Sequence, residues 1–179
     1  MIRVEQKLVL AAPPQAVWNV LTDPRQVAAC LPGAEVTEQR ADGSYAGSIS
    51  LKVGPLTVTY RGTLRFERLD AASLDAEMLG QGQDVKGKGA AELRMRSQLR
   101  RLEGGGTEVL VTGEVGLRGL LAQLGRGMIE SVAGYMFEEF AAALDRRLAA
   151  GQSEAVPAPT PLNATRLASA VVTGVFRRG

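Results

Sequence analysis

Three regimes of hydrophobic and polar positions succeed one another along this chain. From Ile2 to Leu10 apolar residues alternate with others, Ile2, Val4, Leu8 and Leu10 on one face and Arg3, Lys7 and Val9 on the other, which predicts a strand. Ala12-Pro13-Pro14 then starts a helix, because proline is tolerated in a first turn, and Val17, Trp18 and Leu21 supply its apolar side. Asp23-Pro24 ends it. A second short helical turn spans Val27 to Leu31 before Pro32-Gly33, so two small helices are expected to close one end of a sheet.

From Ala34 the period becomes two. Glu35 to Arg40 leads into the turn Ala41-Asp42-Gly43; Tyr45, Gly47, Ile49, Leu51 and Val53 then alternate with small polar residues and Lys52. After Gly54-Pro55, Leu56, Val58, Tyr60, Gly62, Leu64 and Phe66 alternate with Thr57, Thr59, Arg61, Thr63, Arg65 and Glu67, predicting an antiparallel pair with one dry and one wet face. Ser73 to Leu79 predicts a shorter strand. Gly80 to Gly89 reads as a mobile hairpin loop or bulge; it lacks the Gly-Lys-Ser/Thr that opens a helix in a phosphate-binding loop. Ala91, Leu93 and Met95 face in, and after Gly104-Gly105-Gly106 the residues Val109, Val111, Val115 and Leu117 complete the sheet.

The third regime runs unbroken from about Gly119 to Ala150. Leu121, Leu124, Met128, Val132, Tyr135, Met136, Phe140, Leu144 and Leu148 recur at steps of three and four, stacking on one face of a helix, while Gln123, Arg126, Glu130, Glu138 and Asp145 lie opposite. A helix of roughly 30 residues spans about 45 Å, and its natural cover is a broad curved sheet. The expected fold is therefore α+β: a curved antiparallel sheet wrapped around a long C-terminal helix, with a cavity between them, in a domain of residues 1–150.

Composition makes the cavity reading sharper. Of the apolar residues expected to face inward, Leu51, Val53, Val58, Tyr60, Phe66, Leu93, Met95, Val111, Leu124, Met128, Val132 and Met136 are the candidate wall. Gly47, Gly62, Gly89, Ala91 and Gly113 share their phase and fill almost no volume. Small residues facing a helix that bears methionines leave an adaptable apolar pocket, in which Tyr60 is the one expected hydrogen-bond donor.

Charge separates the body from the C-terminal residues. The chain has 21 bases and 19 acids; three bases, Arg166, Arg177 and Arg178, lie beyond residue 154, where there is no acid, leaving 18 against 19 before it. A body so near neutrality offers no broad footprint for nucleic acid. Residues 151–161 read as a linker with Pro157, Pro159 and Pro161, and 162–179 as an amphipathic tail helix. Arg166, Leu167, Val171, Val172, Val175, Phe176, Arg177 and Arg178 are the candidate membrane-binding residues, with docking on the body or on a partner as the alternative. The lone Cys30 suits a reducing compartment, and the alternating N-terminal residues do not resemble a signal peptide, so the expected location is cytoplasmic. With no histidine in the chain, histidine-based catalytic triads and metal sites are excluded; no catalytic or metal-ligating residue is nominated.

Leu31-Pro32-Gly33-Ala34-Glu35, Lys52-Val53-Gly54-Pro55, the glycine-rich Gly80 to Gly89 and Gly119-Leu120-Leu121-Ala122-Gln123-Leu124-Gly125 occur in an order that resembles the carbon monoxide dehydrogenase G-subunit family, within the START and Bet v 1-like helix-grip superfamily that also holds polyketide cyclases. The resemblance covers residues 1 to about 148. It implies a non-catalytic accessory protein of an aerobic molybdenum carbon monoxide dehydrogenase or related molybdenum hydroxylase. It implies, too, recruitment of that enzyme to the inner face of the cell membrane, with a respiratory quinone, or a lipid, as the apolar ligand. No cofactor is fixed by the residues; a bound quinone is what the resemblance adds. The alternative is a cyclase-like enzyme on the same fold, drawing on Tyr60, Arg61, Glu67 or Arg94, although the last three fall on the outward face.

Overall fold

The structure, a computed structural model, describes residues 1–151. β1 (Ile2–Leu10) is followed by α1 (Pro14–Leu21) and α2 (Pro24–Cys30), then by β2 (Ala34–Gln39), β3 (Tyr45–Val53), β4 (Leu56–Asp70), β5 (Asp75–Asp84), β6 (Gly89–Arg101) and β7 (Thr107–Gly119). A 3-10 turn at Leu120–Leu124 leads into α3 (Arg126–Ala149). In space the strands run β1-β7-β6-β5-β4-β3-β2, all antiparallel: β2 to β7 form one meander and β1 joins it beside β7. This is the expected α+β helix-grip architecture. The expected linker beyond Gly151 and the tail helix at 162–179, with Arg166, Leu167, Val171, Val172, Val175, Phe176, Arg177 and Arg178, lie outside the described residues.

Local chemistry accounts for the small helices. Pro14 and Pro24 each stand in a first turn, where no N–H is needed. Asp23 caps α2, its Oδ1 accepting from the Arg25 N–H at 3.0 Å, so Asp23-Pro24 both stops one helix and starts the next.

Two elements depart from the sequence reading. The long helix is not continuous: Gly119 and Gly125 take φ of 86° and 80°, a region that disfavours side chains, and the segment between them is 3-10. The α-helix proper has 24 residues. Moreover, Gly80 to Asp84 is strand rather than loop, and only Val85 to Lys88 turns the chain. Gly82 pairs with Gly62 on one side and Ala91 on the other, and Gly62 pairs in turn with Gly47. Three glycines thus line up across adjacent strands. A Cβ at Gly62 would run into the Gln81 carbonyl oxygen, with the Gly82 Cα at 2.6 Å, so the backbones approach where a side chain would hold them apart. This row is where the sheet is free to bend around its contents.

At the end where β1 passes into α1, packing is solid. Leu10, Val17, Val20, Val109 and Leu144 are fully buried, and the Thr107 hydroxyl donates to the Ala12 carbonyl at 2.7 Å. Toward the start of α3 the core divides into smaller groups around Tyr60 and around Tyr135.

Candidate functional site: an apolar cavity inside the grip

The space separating those groups is a cavity of about 470 Å³ bounded by the inner face of the sheet, α1 and α2, and α3. That is within the roughly 300–1,000 Å³ of small-molecule sites. Its existence shows in the side chains: Leu51, Phe66, Leu93, Met95, Val132 and Met136 all point inward yet are only half-buried, because what they face is open space.

Ten of the twelve residues expected on the wall are there: Leu51, Val53, Tyr60, Phe66, Leu93, Met95, Val111, Leu124, Val132 and Met136. Val58 is 3% exposed and packs with Tyr60 and Leu121 behind the wall. Met128 corrects the expectation more fully: it is 46% exposed and outside the cavity. Its place in the helical series from Leu124 presupposes a continuous helix, and the break at Gly125 resets the phase so that Ile129 faces in instead. Sequence reasoning also misses Trp18, Leu21, Val27 and Leu31, which close the cavity from α1, α2 and the residue after it. Their signal is the apolar side of the two small helices, which by itself predicts a support for the sheet rather than a wall.

Among the polar residues of the lining, Tyr45, Tyr60 and Ser97 share the inward phase of their strands. Tyr60 is 5% exposed and has no hydrogen-bond partner among the described residues; burial, with the nearby Asp84 carboxylate, pushes its hydroxyl up from the ordinary phenol value. It therefore stays protonated and able to donate. Gly89 leaves it room, since a Cβ there would lie 3.4 Å from the Tyr60 Oη. Ser97 also faces in, in register with Val111 and Ala76. Arg61, Glu67 and Arg94, the residues weighed for acid–base work, are exposed on the outer face. Cys30 is buried, and burial raises its thiol against the opposing pull of Arg147 and Arg146, which keeps it protonated. Among the described residues no group of three or more His, Cys, Asp or Glu is placed to hold a metal, and no helix is long and apolar enough to cross a membrane.

A curved sheet closed over one long helix with an apolar chamber between them defines a START and Bet v 1-like helix-grip protein. The model of the carbon monoxide dehydrogenase G-subunit family (CoxG) matches residues 7–149, and the chain belongs to that family. Among solved structures it is similar to a conserved protein from Geobacillus kaustophilus, at TM-score 0.75 and 17% identity over 83% of this chain and 96% of that one. A START superfamily protein from Mycobacterium smegmatis matches at TM-score 0.57 and 16% identity, covering 84% and 99%. The Zhui aromatase/cyclase from a Streptomyces species matches at TM-score 0.53 and 17% identity, covering 87% and 96%. At these identities the likeness is one of fold. No curated protein sequence matches the chain.

Proposed function

We propose that this protein is a non-catalytic accessory protein of an aerobic molybdenum carbon monoxide dehydrogenase, or a related molybdenum hydroxylase. In this reading it recruits the enzyme to the inner face of the cell membrane and holds an apolar ligand such as a respiratory quinone in its cavity. The observation that carries the ligand part is the cavity of about 470 Å³ walled by aliphatic, aromatic and thioether side chains, with the Tyr60 hydroxyl free to donate. Such a wall selects by shape and hydrophobicity, and a buried hydroxyl donor suits a carbonyl at the end of a long apolar molecule. The partner part rests on the family, which is named for a component of that dehydrogenase.

The fold shared with an aromatase/cyclase keeps a cyclase-like enzyme as the second reading. Arg61, Glu67 and Arg94 are exposed on the outer face, away from a cavity lining that is predominantly aliphatic and aromatic. That favours retention over turnover.

Native mass spectrometry of the protein gently extracted from its own host, followed by organic extraction, tests the reading. A stoichiometric quinone or lipid together with the hydroxylase is the expected result. A bound molecule recovered in chemically altered form would favour the cyclase, and a folded, empty protein would remove the ligand from the proposal.

A further inference from the structure

The β3–β4 turn at Gly54-Pro55, the β5–β6 turn at Val85–Lys88 and the junction of β7 with the 3-10 turn at Gly119 all lie at one end of the molecule. The registers Lys52 with Thr57, Gln83 with Ala90 and Gly89 with Gly119 place them there, and the Val85 N–H bonds the Thr59 carbonyl at 2.9 Å. The cavity wall extends to this end through Val53, Leu117, Leu124 and Ile129.

This end is unusual in two ways at once. Three of the six large apolar side chains exposed among the described residues are here, Val85 at 49%, Leu120 at 39% and Met128 at 46%. Around them stand Lys52, Lys86, Lys88 and Arg118, all exposed and none in a salt bridge among the described residues. Acids are fewer at this end. Asp84 is buried with its carboxylate accepting from the Lys86 and Lys88 N–H groups, and Glu130 is paired with Arg126 at 2.7 Å.

We propose that this end of the body docks on an anionic lipid bilayer, with Val85, Leu120 and Met128 entering the headgroup region and the four cations lying against lipid phosphates. Apolar tips ringed by unpaired cations match an interface that is apolar beneath and negative on top. Docked in this way, the cavity faces the membrane, and an apolar ligand moves between bilayer and wall with little exposure to water. This deepens the membrane part of the proposed function and rests on it, but assigns the contact to the folded body rather than to residues 162–179.

The test uses the full chain and vesicles of phosphatidylcholine with about one third phosphatidylglycerol. Each cation at such a surface strengthens binding about fivefold, so replacing Lys86, Lys88 and Arg118 together with Gln is expected to weaken flotation about 100-fold. Thermal melting should be unchanged, since these side chains make no described ion pair. A Val85→Trp variant should be quenched by lipids brominated on their acyl chains. Undiminished flotation of the triple variant, or an unquenched Val85→Trp on bound vesicles, overturns the proposal. Loss of binding only when Arg166, Arg177 and Arg178 become Glu overturns it while leaving membrane recruitment to the tail. A full chain that binds no vesicle fails both. Vesicle binding that survives in the triple variant while capture of the hydroxylase is lost would assign this surface to a protein partner and overturn the lipid assignment.

Discussion

Val132 and Leu144 lie about three turns apart on the inner side of α3, yet Leu144 is fully buried while Val132 remains half-buried against open space. Residue type does not make the difference, since both are aliphatic and both face the sheet. What differs is what stands opposite. Leu144 belongs to a cluster with Leu10, Val17, Val20 and Val109, where β1 and β7 bring large side chains and α1 fills the remaining gap. Across the sheet from the other half of α3 run Gly47, Gly62, Gly82 and Ala91, which supply curvature and no volume. One end is a core that stabilises the fold, and the other is a chamber that the stable end makes affordable.

The comparison breaks most visibly under truncation. Leu144→Ala removes atoms from a site with no slack and is expected to destabilise by about 3–5 kcal/mol, read as the denaturation midpoint in urea. Met136→Ala, on the chamber side, already faces space and is expected to lose under about 1.5 kcal/mol. Equal losses at the two positions would mean that the chamber collapses around its wall. The glycine row gives the next largest effect. Gly62→Ala drives a Cβ into the backbone of β5 and is expected to cost about 2 kcal/mol or more.

Gly80 has the opposite character. A Cβ there meets nothing closer than the Leu93 Cβ at 3.7 Å, its φ is ordinary, and it lies on the cavity wall. Gly80→Leu is therefore expected to leave stability within about 1 kcal/mol while occupying ligand volume, so that the apolar molecule is no longer retained on purification. Undiminished retention in a folded Gly80→Leu protein would count against the chamber as the binding site.

Much of this is legible in the sequence, and the parts that are not share a cause. Alternation from Tyr45 to Phe66 and from Ala91 to Leu117 marks the faces of four strands, because a period of two is a property of each strand alone. The glycine row is invisible as a row: Gly47, Gly62 and Gly82 become neighbours only through the register of β3, β4 and β5. Gly80 and Gly82 also look like punctuation, which is how glycine usually reads, and so the end of β5 resembles loop. Met128 misleads for a related reason, since Leu121, Leu124 and Met128 keep helical spacing across a break that only the positive φ of Gly125 reveals. Trp18, Leu21, Val27 and Leu31 are plainly apolar, but nothing local to them says which side of the sheet the small helices cover.

The smallest effect concerns Tyr60, where packing and open space meet on a single side chain of the chamber end: its ring packs with Val58 and Leu121 while its hydroxyl is left without a partner among the described residues. Tyr60→Phe keeps the packing, so stability should change little. A ligand with a carbonyl should lose about 1 kcal/mol of affinity, roughly fivefold, whereas a plain hydrocarbon of the same length should lose nothing, as titration calorimetry with a short-chain quinone and an alkane would show. The pH dependence follows from the direction of the shift. Burial and Asp84 hold the hydroxyl's folded value above the ordinary phenol value, so the donor is fully present at neutral pH. Quinone affinity should stay flat through the neutral range and fall only as pH rises through that raised value, where the phenolate can no longer donate. A fall already near neutrality, or an equal loss for quinone and alkane in Tyr60→Phe, would show that Tyr60 serves the wall by shape alone.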